Sequence, residues 1–118
     1  MSHKDKQKRI AVDLDGTLSN TPNFPNLWEL SPNELSALYE TITPNNKIIA
    51  MTNELYDKGY TVFIFTARSN MYQSVTKKWL KDHNVKHHYL IVDKPYYDLF
   101  IDDKCIRPEE LEDKMKGL

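Results

Sequence analysis

The sequence predicts an α/β fold: a single doubly wound parallel sheet of Rossmann-like type, with no separate cap domain. Two observations carry this. Four short apolar runs, Ile10-Ala11-Val12, Val62-Phe63-Ile64-Phe65, Tyr89-Leu90-Ile91-Val92 and Leu99-Phe100-Ile101, are rich in β-branched and aromatic residues. They do not alternate with polar residues, which is the pattern of strands covered on both faces. Helix-spaced stretches separate the first three runs, and strand–helix alternation favours parallel order.

In chain order, residues 1–8 are polar and basic and are expected to be a mobile tail. The first strand follows at Ile10. Residues 18–42 read as an insertion of loop and short helix near the carboxyl end of the sheet. It contains Phe24, Leu27 and Trp28, which either cover the site or pack as core. Within it, Ser31-Pro32-Asn33-Glu34 reads as a capping box opening a helix through Leu38 or Tyr39. Thr43-Pro44 predicts the start of a longer helix with Ile48, Met51, Thr52, Leu55 and Tyr56 on one face, closed by Lys58-Gly59. Another helix is expected from Ser69 or Asn70, with Met71, Val75 and Trp79 as its apolar stripe and Leu80 widening it. A last, short one opens at Pro108.

The chain of 118 residues fits one domain, 1–118. Its 16 Lys and Arg nearly balance its 17 Asp and Glu, so composition gives no global reason to expect a nucleic-acid or membrane-surface binder. The single cysteine, Cys105, excludes an internal disulfide and suits a reducing compartment. No apolar stretch approaches the length of a membrane span, and no signal-peptide core is visible at the N-terminus. A cytoplasmic protein without a membrane partner is the expectation.

Ligands of open α/β sheets bind beyond the carboxyl ends of the strands. The four predicted ends carry Asp13-Leu14-Asp15-Gly16-Thr17, Thr66-Ala67-Arg68, Asp93-Lys94-Pro95 and Asp102-Asp103. Convergent carboxylates repel one another and call for a cation. Hard oxygen donors in an incomplete cage suit Mg²⁺, which keeps waters and accepts phosphate oxygens. Lys94 and the Thr66 hydroxyl then meet phosphoryl oxygens. Asp13 beside such a site has the chemistry to attack phosphorus and form an aspartyl phosphate. Asp15, two residues on, points the same way along the strand end and acts as proton donor and acceptor. Gly16 permits a tight turn whose backbone N–H groups, with Leu14 and Thr17, are placed for phosphate.

With these residues in order, the chain resembles the haloacid dehalogenase superfamily of phosphohydrolases over roughly residues 8 to 107. Asp13-x-Asp15-Gly16-Thr17 matches the first motif, Thr66 the second, Lys94 the third and Asp102-Asp103 the fourth. The resemblance implies a phosphomonoester hydrolase with Asp13 as nucleophile and Asp15 as general acid/base. It also implies Mg²⁺ held by the Asp13 carboxylate, the Asp15 backbone carbonyl and the Asp102 carboxylate. Asp103 supports the metal through water or orients Lys94. Ala67 and Arg68 follow the second motif and are expected to contact substrate; Arg68 either binds a substrate anion or pairs with a structural carboxylate. The chain looks most like small members found near polysaccharide-biosynthesis and phage genes, which points to a phosphorylated sugar as substrate. Two departures stand out: there is no cap domain, and Lys94 lies unusually close to Asp102. An uncapped site also admits a macromolecular phosphate, or a pocket completed by a second copy in a homo-oligomer.

Blander readings attach to each residue. Asp13 and Asp15 suit a turn, Thr66 a helix cap, Lys94 an exposed loop, and Asp102-Asp103 a solvated turn. Four ordered motifs outweigh them. Adjacent His87 and His88 point to opposite faces of a strand and do not share a metal ion. Cys105 has no histidine placed to activate it, so a structural role is expected. Two rival functions fit the same pocket: a phosphotransferase to an acceptor other than water, and a signalling module phosphorylated on aspartate.

Overall fold

The computed structural model describes residues 8–20 and 27–118. The expected mobile tail lies outside the described residues except for Lys8, and Phe24 lies outside them as well. Three strands, β1 (Arg9–Asp13), β2 (Thr61–Phe65) and β3 (Tyr89–Ile91), form a parallel sheet in the order β1-β2-β3. Arg9 stands opposite Thr61, and Phe63 opposite Tyr89. The helices are α1 (Pro32–Thr41), α2 (Asn46–Asp57), α3 (Gln73–Asp82) and α4 (Leu111–Met115).

Local sequence explains where these helices begin and end. Ser31 caps α1 with the expected box: its hydroxyl accepts from the Glu34 backbone, and the Glu34 carboxylate accepts from Ser31 N–H. The helix runs past Tyr39 to Thr41. The cap of α2 is Asn45, whose side chain accepts from Ile48 N–H, and not the predicted Thr43. Gly59, at φ 98°, turns the chain out of α2. A single 3-10 turn over Asn70–Tyr72 precedes α3, which leaves Met71 exposed and removes it from the predicted stripe.

The core lies on one side of the sheet. Val12, Val62 and Ile64 pack there with Ile48 and Ile49 of α2 and Trp79 and Leu80 of α3. Buried Trp79 donates its indole N–H to the Ile42 carbonyl at 2.8 Å, which satisfies its polar atom. Leu55, Tyr60 and Met115 form a second cluster that seats α4 on α2.

Two expectations are corrected. The crossovers β1–α2–β2 and β2–α3–β3 advance in the same direction, and crossovers of one hand then place both helices on the same face. On the opposite face Ala11, Tyr89 and Ile91 are exposed, and Phe63 and Phe65 are half-buried. Among the described residues the second helical layer of a doubly wound sheet is absent, and the fold is a two-layer α/β arrangement. The other correction is Leu99-Phe100-Ile101, which forms no strand; Leu99 is 77% and Ile101 88% exposed. A parallel return normally takes a dozen or more residues, usually with a helix, and only residues 92–98 separate this run from β3.

Candidate active site

The carboxyl end of β1 leads into a turn over Leu14–Leu18 that is anchored from inside. The Leu14 and Leu18 side chains are fully buried, and Ser19 N–H closes onto the Leu14 carbonyl at 3.0 Å. Gly16 takes φ 86°, a left-handed conformation that residues with a Cβ rarely adopt. The chain beyond is tied down by Asn45 N–H to the Leu18 carbonyl and Asn20 N–H to the Thr43 carbonyl. These bonds fix Asp13 and Asp15 at the rim.

Asp13 is half-buried and faces Lys94, whose ammonium lies 3.1 Å from Oδ1. Thr17 Oγ1 is 3.5 Å from the other carboxylate oxygen. Lys94 is placed by the backbone, since its N–H donates to the Thr66 carbonyl at 3.0 Å and the preceding Asp93 N–H to the Arg68 carbonyl at 2.9 Å. Asp93 has φ 58°, and its carboxylate accepts from Asn70 N–H, so a strained residue links the β3 exit to the α3 entry. Thr66 is buried, and its hydroxyl accepts from Arg68 N–H at 3.1 Å.

Arg68 pairs with a carboxylate, that of Asp15. It is 3% exposed and grips both oxygens of Asp15, Nε at 3.0 Å and Nη2 at 2.7 Å. Its Nη1 donates to Thr76, and its guanidinium lies 3.8 Å from the Tyr39 ring centroid. Burial, followed by the Asp15 charge, raises the Tyr39 phenol above its ordinary pKa. Asp15 and Thr76 thus engage three of the five Arg68 N–H donors. Sequence reasoning missed Tyr39 and Thr76, which hold this arginine. The signal was present in Tyr39 as the apolar residue ending the capped helix, but nothing local links it to Arg68.

The structure thus brings together Asp13, Asp15, Thr17, Thr66, Arg68 and Lys94, with Leu14 buried beneath and Gly16 and Ala67 exposed. It does not bring Asp102 and Asp103 with them. Both are exposed, and the Asp102 carboxylate accepts from Lys104 N–H at 2.9 Å in its own turn. Among the described residues, no three His, Cys, Asp or Glu side chains gather closely enough to hold a metal ion. Asp13 and Asp15, two of the residues expected to hold Mg²⁺, lie at the rim, whereas Asp102 sits in the segment that forms no strand. The Lys94 ammonium lies beside Asp13. Of the adjacent pair His87 and His88, His88 accepts Val62 N–H through Nδ1 at 3.0 Å and stacks on Tyr56, while the His87 ring meets the Val85 carbonyl. Cys105 is exposed, against the structural role expected of it.

No family model and no curated protein matches the chain. Among solved structures it is similar to a Vibrio cholerae structural-genomics target, at 26% identity and TM-score 0.68, over 89% of this chain and 87% of that one. It is also similar to a chain of the Pnkp1/Rnl/Hen1 complex, at 21% identity and TM-score 0.59, over 97% of this chain but only 36% of that one. A second structure, of the Pnkp1/Rnl/Hen1 RNA repair complex, matches at 17% identity and TM-score 0.56, covering 98% and 32%. The chain spans about a third of those longer proteins, and the likeness to them concerns the fold alone. Among the described residues no helix is long and apolar enough to cross a membrane.

Proposed function

We propose that the chain is a phosphohydrolase of haloacid dehalogenase type that attacks a phosphate monoester with Asp13. The observation that carries this reading is the Asp13–Lys94 pair at the open end of β1, with the Thr66 hydroxyl buried beside Lys94's anchor point. An Asp13 oxygen bonds to phosphorus as the ester P–O bond breaks, and Asp15 gives a proton to the leaving oxygen. Water then adds to the phosphorus, its proton passes to Asp15, and the Asp13–phosphorus bond breaks to release phosphate. Lys94 neutralises the non-bridging oxygens throughout. Mg²⁺ is part of the proposal as the expected counter-ion of this chemistry.

A second reading is favoured by one observation. Arg68 holds both oxygens of Asp15 in charge-assisted hydrogen bonds, so the carboxylate must release one of them to reach a leaving oxygen or a water. Slow proton transfer would leave phosphoryl-Asp13 long-lived, as in an aspartate-phosphorylated signalling module.

The experiment is phosphate release from sugar, nucleotide and glycerol phosphates, with and without Mg²⁺, by wild type and Asp13→Asn. Turnover that disappears in Asp13→Asn supports the hydrolase. Unchanged turnover in that variant overturns the nucleophile. A stable phosphoryl-Asp13 detected by mass spectrometry, with no phosphate released, supports the second reading. Transfer to an added alcohol in place of water identifies a phosphotransferase.

A further inference from the structure

The chain leaving Lys94 runs along the rim and presents aromatic side chains to solvent. Tyr97 has its ring centroid 5.3 Å from the Lys94 ammonium, and Phe100 lies 5.1 Å from Tyr97 with the planes tilted by 39°. Tyr97 is 43% and Phe100 52% exposed. Leaving two adjacent large rings in water forgoes the gain of burying them, and among the described residues no helix covers them. Lys94 is at the same time 3.1 Å from Asp13. Moving outward from the nucleophile, the surface therefore offers a carboxylate, then a cation, then a two-ring shelf.

We propose that Tyr97 and Phe100 form a stacking platform for the base of a nucleotide whose phosphate lies at Lys94 and Asp13. The proposal rests on the reading of Asp13 as the group that attacks phosphorus. One sugar ring separates phosphate from base in a nucleotide, a span of the same order as the step from the Lys94 ammonium to the Tyr97 ring. Aromatic rings accept any base, because every base has a π-face, and a nearby cation adds to the attraction. Neither ring carries the paired donors and acceptors that read a base edge, so the platform selects for a base without selecting which one. Nucleotide phosphates come from two sources, free mononucleotides and the ends of single strands. The shared chemistry is a terminal phosphate one sugar away from an unstacked base.

The test is equilibrium binding to the full Asp13→Asn chain, checked for native circular dichroism. The probes are adenosine 3′- and 5′-monophosphate, a short single-stranded oligonucleotide bearing a phosphate at either end, and glycerol phosphate. A nucleotide phosphate is expected to bind about tenfold or more tighter than glycerol phosphate, and Tyr97→Ala or Phe100→Ala to remove about tenfold of that affinity. Phe100→Trp, which restores a ring, is expected to retain it. Tighter binding of the oligonucleotide than the mononucleotide assigns a strand end, and equal binding assigns the free nucleotide. Equal affinity for glycerol phosphate and nucleotides overturns the platform, as do alanine variants that bind normally. Phosphate release by wild type separates the two readings. Ring-dependent binding without turnover of any ester removes the hydrolase and keeps the platform; turnover of glycerol phosphate equal to that of nucleotides does the reverse.

Discussion

Arg68 decides how the acidic rim is organised. It is an almost fully buried guanidinium with its fork on Asp15, one more donor on Thr76 and an aromatic face at Tyr39. Removing one partner of such a pair leaves an uncompensated buried charge, which typically costs about 3–5 kcal/mol. Asp15→Ala, which leaves the buried guanidinium without its carboxylate, is therefore expected to lose roughly that much in urea unfolding. Arg68→Lys should lose less but still a measurable amount, since an ammonium does not reproduce the bidentate geometry. If Arg68→Lys unfolds at the wild-type urea midpoint, the fork contributes nothing to the fold. Sequence reasoning reached Asp13, Asp15, Thr66 and Lys94 because each ends a strand and carries its own chemistry. Arg68 stayed ambiguous because its role depends on Tyr39 and Thr76, which are distant in sequence or face it only after α3 docks.

At the scale of the element, capping chemistry was readable and strand formation was only partly so. The Ser31 box was visible as four residues, and it stands as read. Hydrogen bonds from the Ser31 backbone and side chain, in that order, hold the Glu34 carboxyl below its ordinary pKa. A depressed folded pKa contributes stability above the unfolded value that is lost as pH falls through the folded one. The start of α1 is thus expected to fray as pH drops below the ordinary glutamate range, and Glu34→Gln should flatten that dependence in amide-exchange measurements. No difference between wild type and Glu34→Gln across that range would remove the assignment. Leu99-Phe100-Ile101, in contrast, has strand composition without a strand. Its residues satisfy local propensity, but pairing is non-local and the short link from β3 does not deliver it.

For the whole molecule, the parallel sheet and its helices were legible from alternating apolar runs, while the number of layers was not. Unbroken hydrophobicity in β2 suggested cover on both faces, yet Phe63 and Phe65 face an open side where aromatic neighbours shield them instead. Period-two reasoning does not reveal this, because an exposed aromatic and a buried one look identical in the sequence. The solved structures of TM-score 0.56–0.68 agree with the α/β arrangement.

The central place of β2 also sets an order of events in time. It pairs with β3 across the span of α3 and with β1 across a connection roughly twice as long, which includes α1 and α2. Each doubling of a closed loop adds only about 0.6 kcal/mol of entropy, yet that is enough to favour the shorter closure first. The β2–α3–β3 unit is expected to nucleate, with β1 arriving late. Ile64→Val and Leu80→Ala should then slow refolding, whereas Val12→Ala should chiefly speed unfolding, as stopped-flow chevrons would register. The strand carrying Asp13 would be the last to join, so the nucleophile would meet Lys94 only once the rest of the sheet had closed.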